Sequence, residues 1–263
     1  SNMLVAAAGD VDPERLRTLA MKGFGNLTKK AAPSVSFADP MPPETMKITL
    51  VDRSGSTQSE IAVGTLAPKE SDATYPAFIV AEQVLGGAFS GRLWDDVREK
   101  QGLAYLTFSN IDVYANGPSV FYAYAQTQNE STGKALGALL DHVQKLAAES
   151  PTNAEVETAA RFLVGFRALR RGRPQSAANE LCENWAHKQS DDVADELDKA
   201  VRRVTPDQAR KGFAEHVREG HTLIVVTGDA NVIGSSLQAF GEVKVVDPNR
   251  NFTRIKTLPH STR

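Results

Sequence analysis

An apolar strand, a Gly-Asp turn, a helical stretch and a Phe-Gly stop occur twice in this chain, once near each end. The first copy begins Met3-Leu-Val-Ala-Ala-Ala-Gly9-Asp10 and reaches Phe24-Gly25; the second begins Leu223-Ile-Val-Val-Thr-Gly228-Asp229 and reaches Phe240-Gly241. The two Gly-Asp turns stand 219 residues apart. A period that long marks a duplicated domain, because solenoid repeats recur every roughly 20–50 residues.

Between the copies the pattern changes from strands to helices. Residues 3–9 read as a strand, and Asp12-Pro13 supplies an N-cap and a first-turn proline for a helix ending by Gly23 or Gly25. Residues 26–45 carry Pro33, Pro40, Pro42 and Pro43 with no period, which predicts an extended linker. Met46, Ile48 and Leu50 then alternate with Lys47 and Thr49, as in a half-buried strand, and a second strand is expected over 58–67 after a turn. Residues 72–86 form a helix apolar nearly all round, which implies burial on more than one side. Asn116-Gly117 joins the expected strands 103–113 and 120–127 as a hairpin.

A block of helices follows. Leu136, Leu139, Leu140, Val143 and Leu146 make one stripe within 131–149. Thr152 with Glu155, and Thr205 with Gln208, are capping boxes for helices running to about Arg171 and Arg218. Between them Gly172 and Pro174 break the chain before helices over about 176–188 and 191–203. A strand at 222–227 and the second strand–helix unit close the series, and 250–263 show no period and read as a tail or linker. Hairpins, then helices, then a returning strand describe an α+β fold: a mostly antiparallel sheet with helices packed on one face.

Composition narrows function by exclusion. The chain has 263 residues, 41% of them apolar, and a net charge of −2, which argues against a general polyanion or nucleic-acid partner. No apolar run is long enough to span a bilayer. The single cysteine, Cys182, lies between Leu181 and Trp185 in a helical pattern and reads as a small buried hydrophobe.

The most informative stretch is 85–105, Leu-Gly-Gly-Ala-Phe-Ser-Gly-Arg-Leu-Trp-Asp-Asp-Val-Arg-Glu-Lys-Gln-Gly-Leu-Ala-Tyr. Gly86-Gly87 ends one helical segment, Ser90 is placed to cap a short helix to about Lys100, and Gln101-Gly102 turns the chain into a strand. Arg98 thus stands at a helix end and Tyr105 near a strand start, seven positions on, where the two can converge. Read from the residues alone, Arg98 pairs with Asp95 and lies on Trp94 while Tyr105 merely occupies a strand position. Gly86, Gly87 and Gly91 either let a peptide backbone approach closely or only make a tight turn between helices.

This stretch resembles the signature of the second half of the pitrilysin/insulinase-type zinc peptidases, the inverzincins, with Gln101, Gly102 and Leu103 in place between the Arg and the Tyr. The resemblance implies the fold of a mitochondrial-processing-peptidase-like metallohydrolase domain. It also implies a division of the chain: 1–30 closes a preceding homologous domain, 31–45 is a linker, 46–249 is a complete domain, and 250–263 is a tail. In such peptidases an Arg and a Tyr at these positions reach across to the zinc site of the first half. The resemblance therefore assigns Arg98 and Tyr105 to catalysis on the partner half, and Gly86, Gly87, Arg98 and Tyr105 to binding a peptide substrate.

The chain departs from a complete peptidase. Zinc hydrolysis needs ligands around an open position and a base, supplied in inverzincins by His-x-x-Glu-His. His142, His187, His216, His221 and His260 do not stand in that motif. Glu180, Glu183 and His187 share a helical face, but a solvated face with a local Glu183–His187 pair explains them. His216 and His221 would point in different directions. No Gly-x-Ser-x-Gly elbow or phosphate loop is present, and Arg167, Arg170, Arg171 and Arg173 read as a solvated helix end favoured by the dipole. The chain is expected to bind no metal itself. Zinc would reside in a catalytic half on the same polypeptide or a partner subunit, and the isolated chain would hydrolyse nothing. The alternative is a non-catalytic inverzincin-like scaffold or peptide-binding subunit. A bacterial source is expected, in periplasm or cytoplasm.

Overall fold

The computed structural model describes residues 3–28, 37–38, 40–115, 117–218 and 220–261. After helix α1 (Pro13–Phe24) come strands β1 (Lys47–Asp52) and β2 (Gln58–Ala67) and helix α2 (Tyr75–Glu82), which widens into a π-turn over Gln83–Gly87. A second helical run spans 92–100, its Trp94–Lys100 part again π-like. Strands β3 (Leu106–Asp112) and β4 (Ser119–Gln128) follow, then helices α3 (Thr132–Ala148), α4 (Asn153–Arg171), α5 (Pro174–His187), α6 (Val193–Val201) and α7 (Pro206–His216). Strand β5 (Leu223–Gly228), helix α8 (Ala230–Leu237) and strands β6 (Val243–Asp247) and β7 (Thr253–Leu258) complete the order.

The strands form one sheet in the order β3-β4-β2-β5-β1-β6-β7. Only β1 runs parallel to its neighbours, β5 and β6; the other pairs are antiparallel, so the sheet is mostly antiparallel as the sequence predicts. Period-two burial sets the register. Ser59, Ile61, Val63, Thr65 and Ala67 of β2 are buried, as are Ser119, Phe121, Ala123, Ala125 and Thr127 of β4. Helices α2, α3, α7 and α8 pack on that face. Phe78, Phe121 and Phe213 meet at its centre with ring centroids 5.4–5.8 Å apart, in edge-to-face and offset arrangements typical of buried aromatics.

Both capping boxes form: Thr152 accepts from Glu155 N–H and Thr205 from Gln208 N–H, while the Glu155 and Gln208 side chains reach back. In the second strand–helix unit the Asp229 carboxylate accepts from the N–H groups of Asn231 and Gly55, which hold it below the usual carboxylate range. Gly228 is closely packed: a Cβ there would lie 2.7 Å from the movable Ile233 Cδ1 and 3.1 Å from Ser59 Cβ.

Three expectations are corrected. Residues 3–8 form no strand among the described residues, because a strand exists only where a neighbour receives its hydrogen bonds. Its helix does form, capped by Asp12, yet α1 buries no residue and leaves Leu19, Met21 and Phe24 exposed. The expected tail contains β7, paired with β6 from Val243↔Leu258 to Asp247↔Thr253; nearly every β7 side chain is exposed, so no period marked it. Cys182 is exposed, because α5 lies on the surface and buries Asn184 alone. Residues 31–36 and 39 of the linker, including Pro33, and Asn116 of the hairpin turn lie outside the described residues. No described helix is long and apolar enough to cross a membrane.

Candidate functional site

Arg98 and Tyr105 are brought together by the way the 92–100 helix ends. The helix widens there: Gln101 N–H donates to Asp96 C=O five residues back at 2.9 Å, and Leu103 N–H to Val97 C=O at 2.9 Å. Single π-turns of this kind recur at functional sites. Gly102 then takes φ +61°, a left-handed conformation that a side chain disfavours. The chain is next caught by β4: Thr127 Oγ1 donates to Leu103 C=O at 2.5 Å and Tyr105 N–H to Gln126 C=O at 2.9 Å.

The outcome is an exposed cluster. The Arg98 guanidinium carbon lies 3.9 Å from the centre of the Trp94 ring and 5.6 Å from that of Tyr105, both within cation–π reach. Tyr105 is 76% exposed. Arg98 does not pair with Asp95, which is taken by Lys100 at 2.5 Å; its nearest carboxylate is Glu99, at 3.5 Å. The guanidinium therefore keeps donors free. Phe89, 77% exposed, packs edge-to-face on Trp94 at 4.6 Å and extends the cluster.

Two anchors fix this helix to the core, and neither was legible in the sequence. Arg92 makes a bidentate pair with Glu155 of α4, at 2.7 and 3.2 Å, and that pair leads the causes holding Glu155 down to about 2. Asp96 accepts from Gln101 Nε2 and pairs with His142 Nε2 of α3, each at 2.7 Å, and the His142 hydrogen bond is the main reason its carboxyl is lowered. One aspartate thus joins the helix, its exit turn and the core.

The glycines pack inward. Gly86 is buried, and a Cβ there would lie 2.7 Å from Ser109 N and 2.9 Å from Leu93 Cδ1. It lets the end of the α2 helix close over the outer edge of β3, and a substrate backbone has no access to it. A Cβ on Gly87 would meet the Gln83 and Glu82 side chains. Close packing accounts for glycine at both positions. Ser90 is not the cap: Gly91 C=O accepts from Asp95 N–H, and the helix starts one residue later than expected.

The remaining sequence candidates are dispersed. Glu180 pairs with Arg171 and His187 with Glu70, so the expected Glu183–His187 pair is replaced by longer-range partners. His216 meets Thr74 Oγ1 at 3.1 Å, and burial lowers its pKa. Among the described residues no three His, Cys, Asp or Glu side chains gather as metal ligands would. Of the arginine run, Arg167 pairs with Asp198, and Arg171 with Glu180 and Asp195.

The sheet face away from the core helices carries half-buried Phe108, Tyr122 and Tyr124, with Phe108 4.9 Å from Tyr124. The sequence marks these two strands only as a hairpin and leaves this aromatic patch unassigned.

Comparison with known proteins places this geometry in context. The family described as the peptidase M16 inactive domain matches residues 1–163. An uncharacterized zinc protease of Mycobacterium tuberculosis is 30% identical over 175 residues, covering 64% of this chain and 38% of the relative. A non-peptidase homolog of Helicobacter pylori is 31% identical over 101 residues, covering 36% of this chain and 22% of the relative. The crystal structure of a peptidase M16 inactive domain from Pseudomonas fluorescens superposes with a TM-score of 0.74 at 22% identity, over 84% of this chain and 52% of the other. This chain spans less than half the length of these curated relatives.

Proposed function

Because the chain belongs to the peptidase M16 inactive-domain family, we propose that it is the non-zinc half of a zinc endopeptidase. Its role is to contribute substrate binding and oxyanion stabilisation to a catalytic half elsewhere. The observation that carries this reading is the exposed pairing of Arg98 with Tyr105, 5.6 Å from guanidinium carbon to ring centre. Arg98 has a 3.5 Å ion pair to the neighbouring Glu99 through Nε and faces two aromatic rings, with its terminal nitrogens left to meet a substrate.

The chemistry follows from amide hydrolysis. Attack of water on a carbonyl creates an oxyanion, and a phenol O–H within reach stabilises it more than the ground-state carbonyl. Tyr105 is that donor. Arg98 holds substrate carbonyls by charge-assisted hydrogen bonds and so orients the scissile bond. In this reading the other half holds the zinc; among the described residues here no three metal-ligating side chains gather. The catalytic half lies on the same polypeptide or on a partner subunit, and the mycobacterial relative, of which this chain covers 38%, has room for it. The capped but coreless α1 supports the reading of 1–30 as the close of a preceding homologous domain.

The test is kinetic, on the full-length protein with its catalytic half. Tyr105→Phe should lower kcat by roughly 100-fold or more with little change in KM, the cost of losing one oxyanion donor. Arg98→Ala should affect both. Parental cleavage rates in both variants would remove the proposal. The second reading, a non-catalytic scaffold, is favoured by the Helicobacter relative, which is named a non-peptidase homolog. It predicts that the parental full-length protein cleaves no peptide.

A further inference from the structure

Phe89 and Ser90 form the tip of a turn whose base is pinned. Gly91 N–H donates to Ala88 C=O at 2.9 Å and closes the turn, and a Cβ on Gly91 would lie 2.7 Å from Gly86 Cα. Two glycines in contact therefore seat the turn on the buried end of the α2 helix and leave Phe89 77% exposed. One exposed phenylalanine is ordinary on a protein surface. This one is held. Its ring meets Trp94 edge-to-face at 4.6 Å, and the Trp94 ring in turn lies 3.9 Å from the Arg98 guanidinium carbon.

Phe89, Trp94, Arg98 and Tyr105 are thus one row of successive contacts, apolar at one end and hydrogen-bonding at the other. The contacts of 4.6 and 3.9 Å bound the distance from the Phe89 ring to the Arg98 guanidinium; an extended peptide at about 3.4 Å per residue covers it within three residues. An aromatic ring fixed before binding loses little conformational freedom when a ligand covers it.

Charge decides which side chain the apolar end takes. Residues 85–91 carry no charged group, and Arg92, the first after them, is turned to Glu155 at 2.7 Å. A charged substrate side chain over Phe89 would lose water without gaining a partner from this turn. A large apolar one gains, because it removes ring surface from water and packs on an aromatic face. We propose that Phe89 is a specificity-determining residue. It selects peptides with an aromatic or large aliphatic side chain within three residues of the carbonyl that Arg98 holds. This rests on the proposal that Arg98 and Tyr105 face the substrate, and adds to it the class of peptide.

The test uses the full-length protein and a host peptide of Ala and Ser residues carrying one Phe, Leu, Gly or Asp at its centre. Binding is read from the fluorescence anisotropy of labelled peptides on protein treated with a chelator to stop hydrolysis, and cleavage on untreated protein. The Phe and Leu peptides should bind about tenfold more tightly than the Gly and Asp peptides. Phe89→Ala should weaken the Phe peptide about tenfold more than the Gly peptide, and Phe89→Leu should restore most of the preference. Tyr105→Phe should slow cleavage of every peptide alike and keep their order of binding. Equal binding of the Phe and Gly peptides by the parent, or a preference that survives Phe89→Ala, overturns the role of Phe89 and leaves that of Arg98 and Tyr105 standing. A Phe89-dependent preference in a protein that cleaves nothing upholds the subsite and removes the catalytic role; binding of no peptide removes both.

Discussion

The guanidinium carbon of Arg98 sits 5.6 Å from the centre of the Tyr105 ring, on a helix tied to the core by ion pairs at its first residue, Arg92, and its middle, Asp96. Two groups so placed should act as one unit. In the full-length protein with its proposed catalytic half, the Arg98→Ala/Tyr105→Phe double variant should lose less kcat/KM than the product of the single losses. A double-mutant cycle measures this, with a coupling of about 0.5–3 kcal/mol expected for residues in contact. Strict additivity would mean that the two work on unrelated steps.

Asp96 should matter to both stability and activity. It accepts from Gln101 and pairs with His142, and Asp96→Ala leaves both without that partner. A loss of about 1–3 kcal/mol in urea unfolding is expected. Peptide cleavage should fall with it, because the Arg98 helix loses its link to α3. Unchanged unfolding would show that the helix is fixed by Arg92–Glu155 alone.

The glycines separate two physical causes. Gly86→Ala drives a methyl group into Ser109 N at 2.7 Å and should destabilise by about 1–3 kcal/mol through overpacking. Gly102→Ala meets no atom within 4 Å, so its cost, about 1 kcal/mol, comes from φ +61° alone. Chemical denaturation of both variants should reproduce that order.

Two carboxyls give stability opposite pH slopes. Glu82 is raised from 4.5 to about 8 by burial, so its contribution is complete below about pH 4.5 and is lost as pH rises through 8. Glu82→Gln should therefore gain stability over the parent across that window, on the order of a few kcal/mol at most and read as a higher Tm, and keep the gain above it. Glu155 is lowered from 4.5 to about 2, chiefly by Arg92, so its contribution is present above 4.5 and lost as pH falls toward 2. Thermal melts from pH 2 to 9 should show Arg92→Ala lacking that acid-side loss.

Legibility in the sequence followed the range of the interaction. Asp12, the Thr152–Glu155 box and the Thr205–Gln208 box all formed where their residues predicted them, since each cap acts over two or three positions. The β2 strand matched its expected bounds, because alternation records which face is buried. β7 left no such record; its side chains stay in water and only its backbone pairs. The strand expected at 3–9 failed for the opposite reason, an apolar run without a neighbour among the described residues.

The same distinction runs through the candidate site. Residues 85–105 by themselves determined that a helix end, a glycine turn and a strand would follow one another, and so that Arg98 and Tyr105 could meet. Only the tertiary structure decided that Gly86 faces β3 instead of a ligand. It alone chose Asp96–His142 and Arg92–Glu155, partners 46 and 63 residues apart, as the anchors. Local rules act through backbone geometry, which a few neighbouring residues encode; these contacts depend on where separate elements settle when the common core closes, and no short stretch of sequence carries that information.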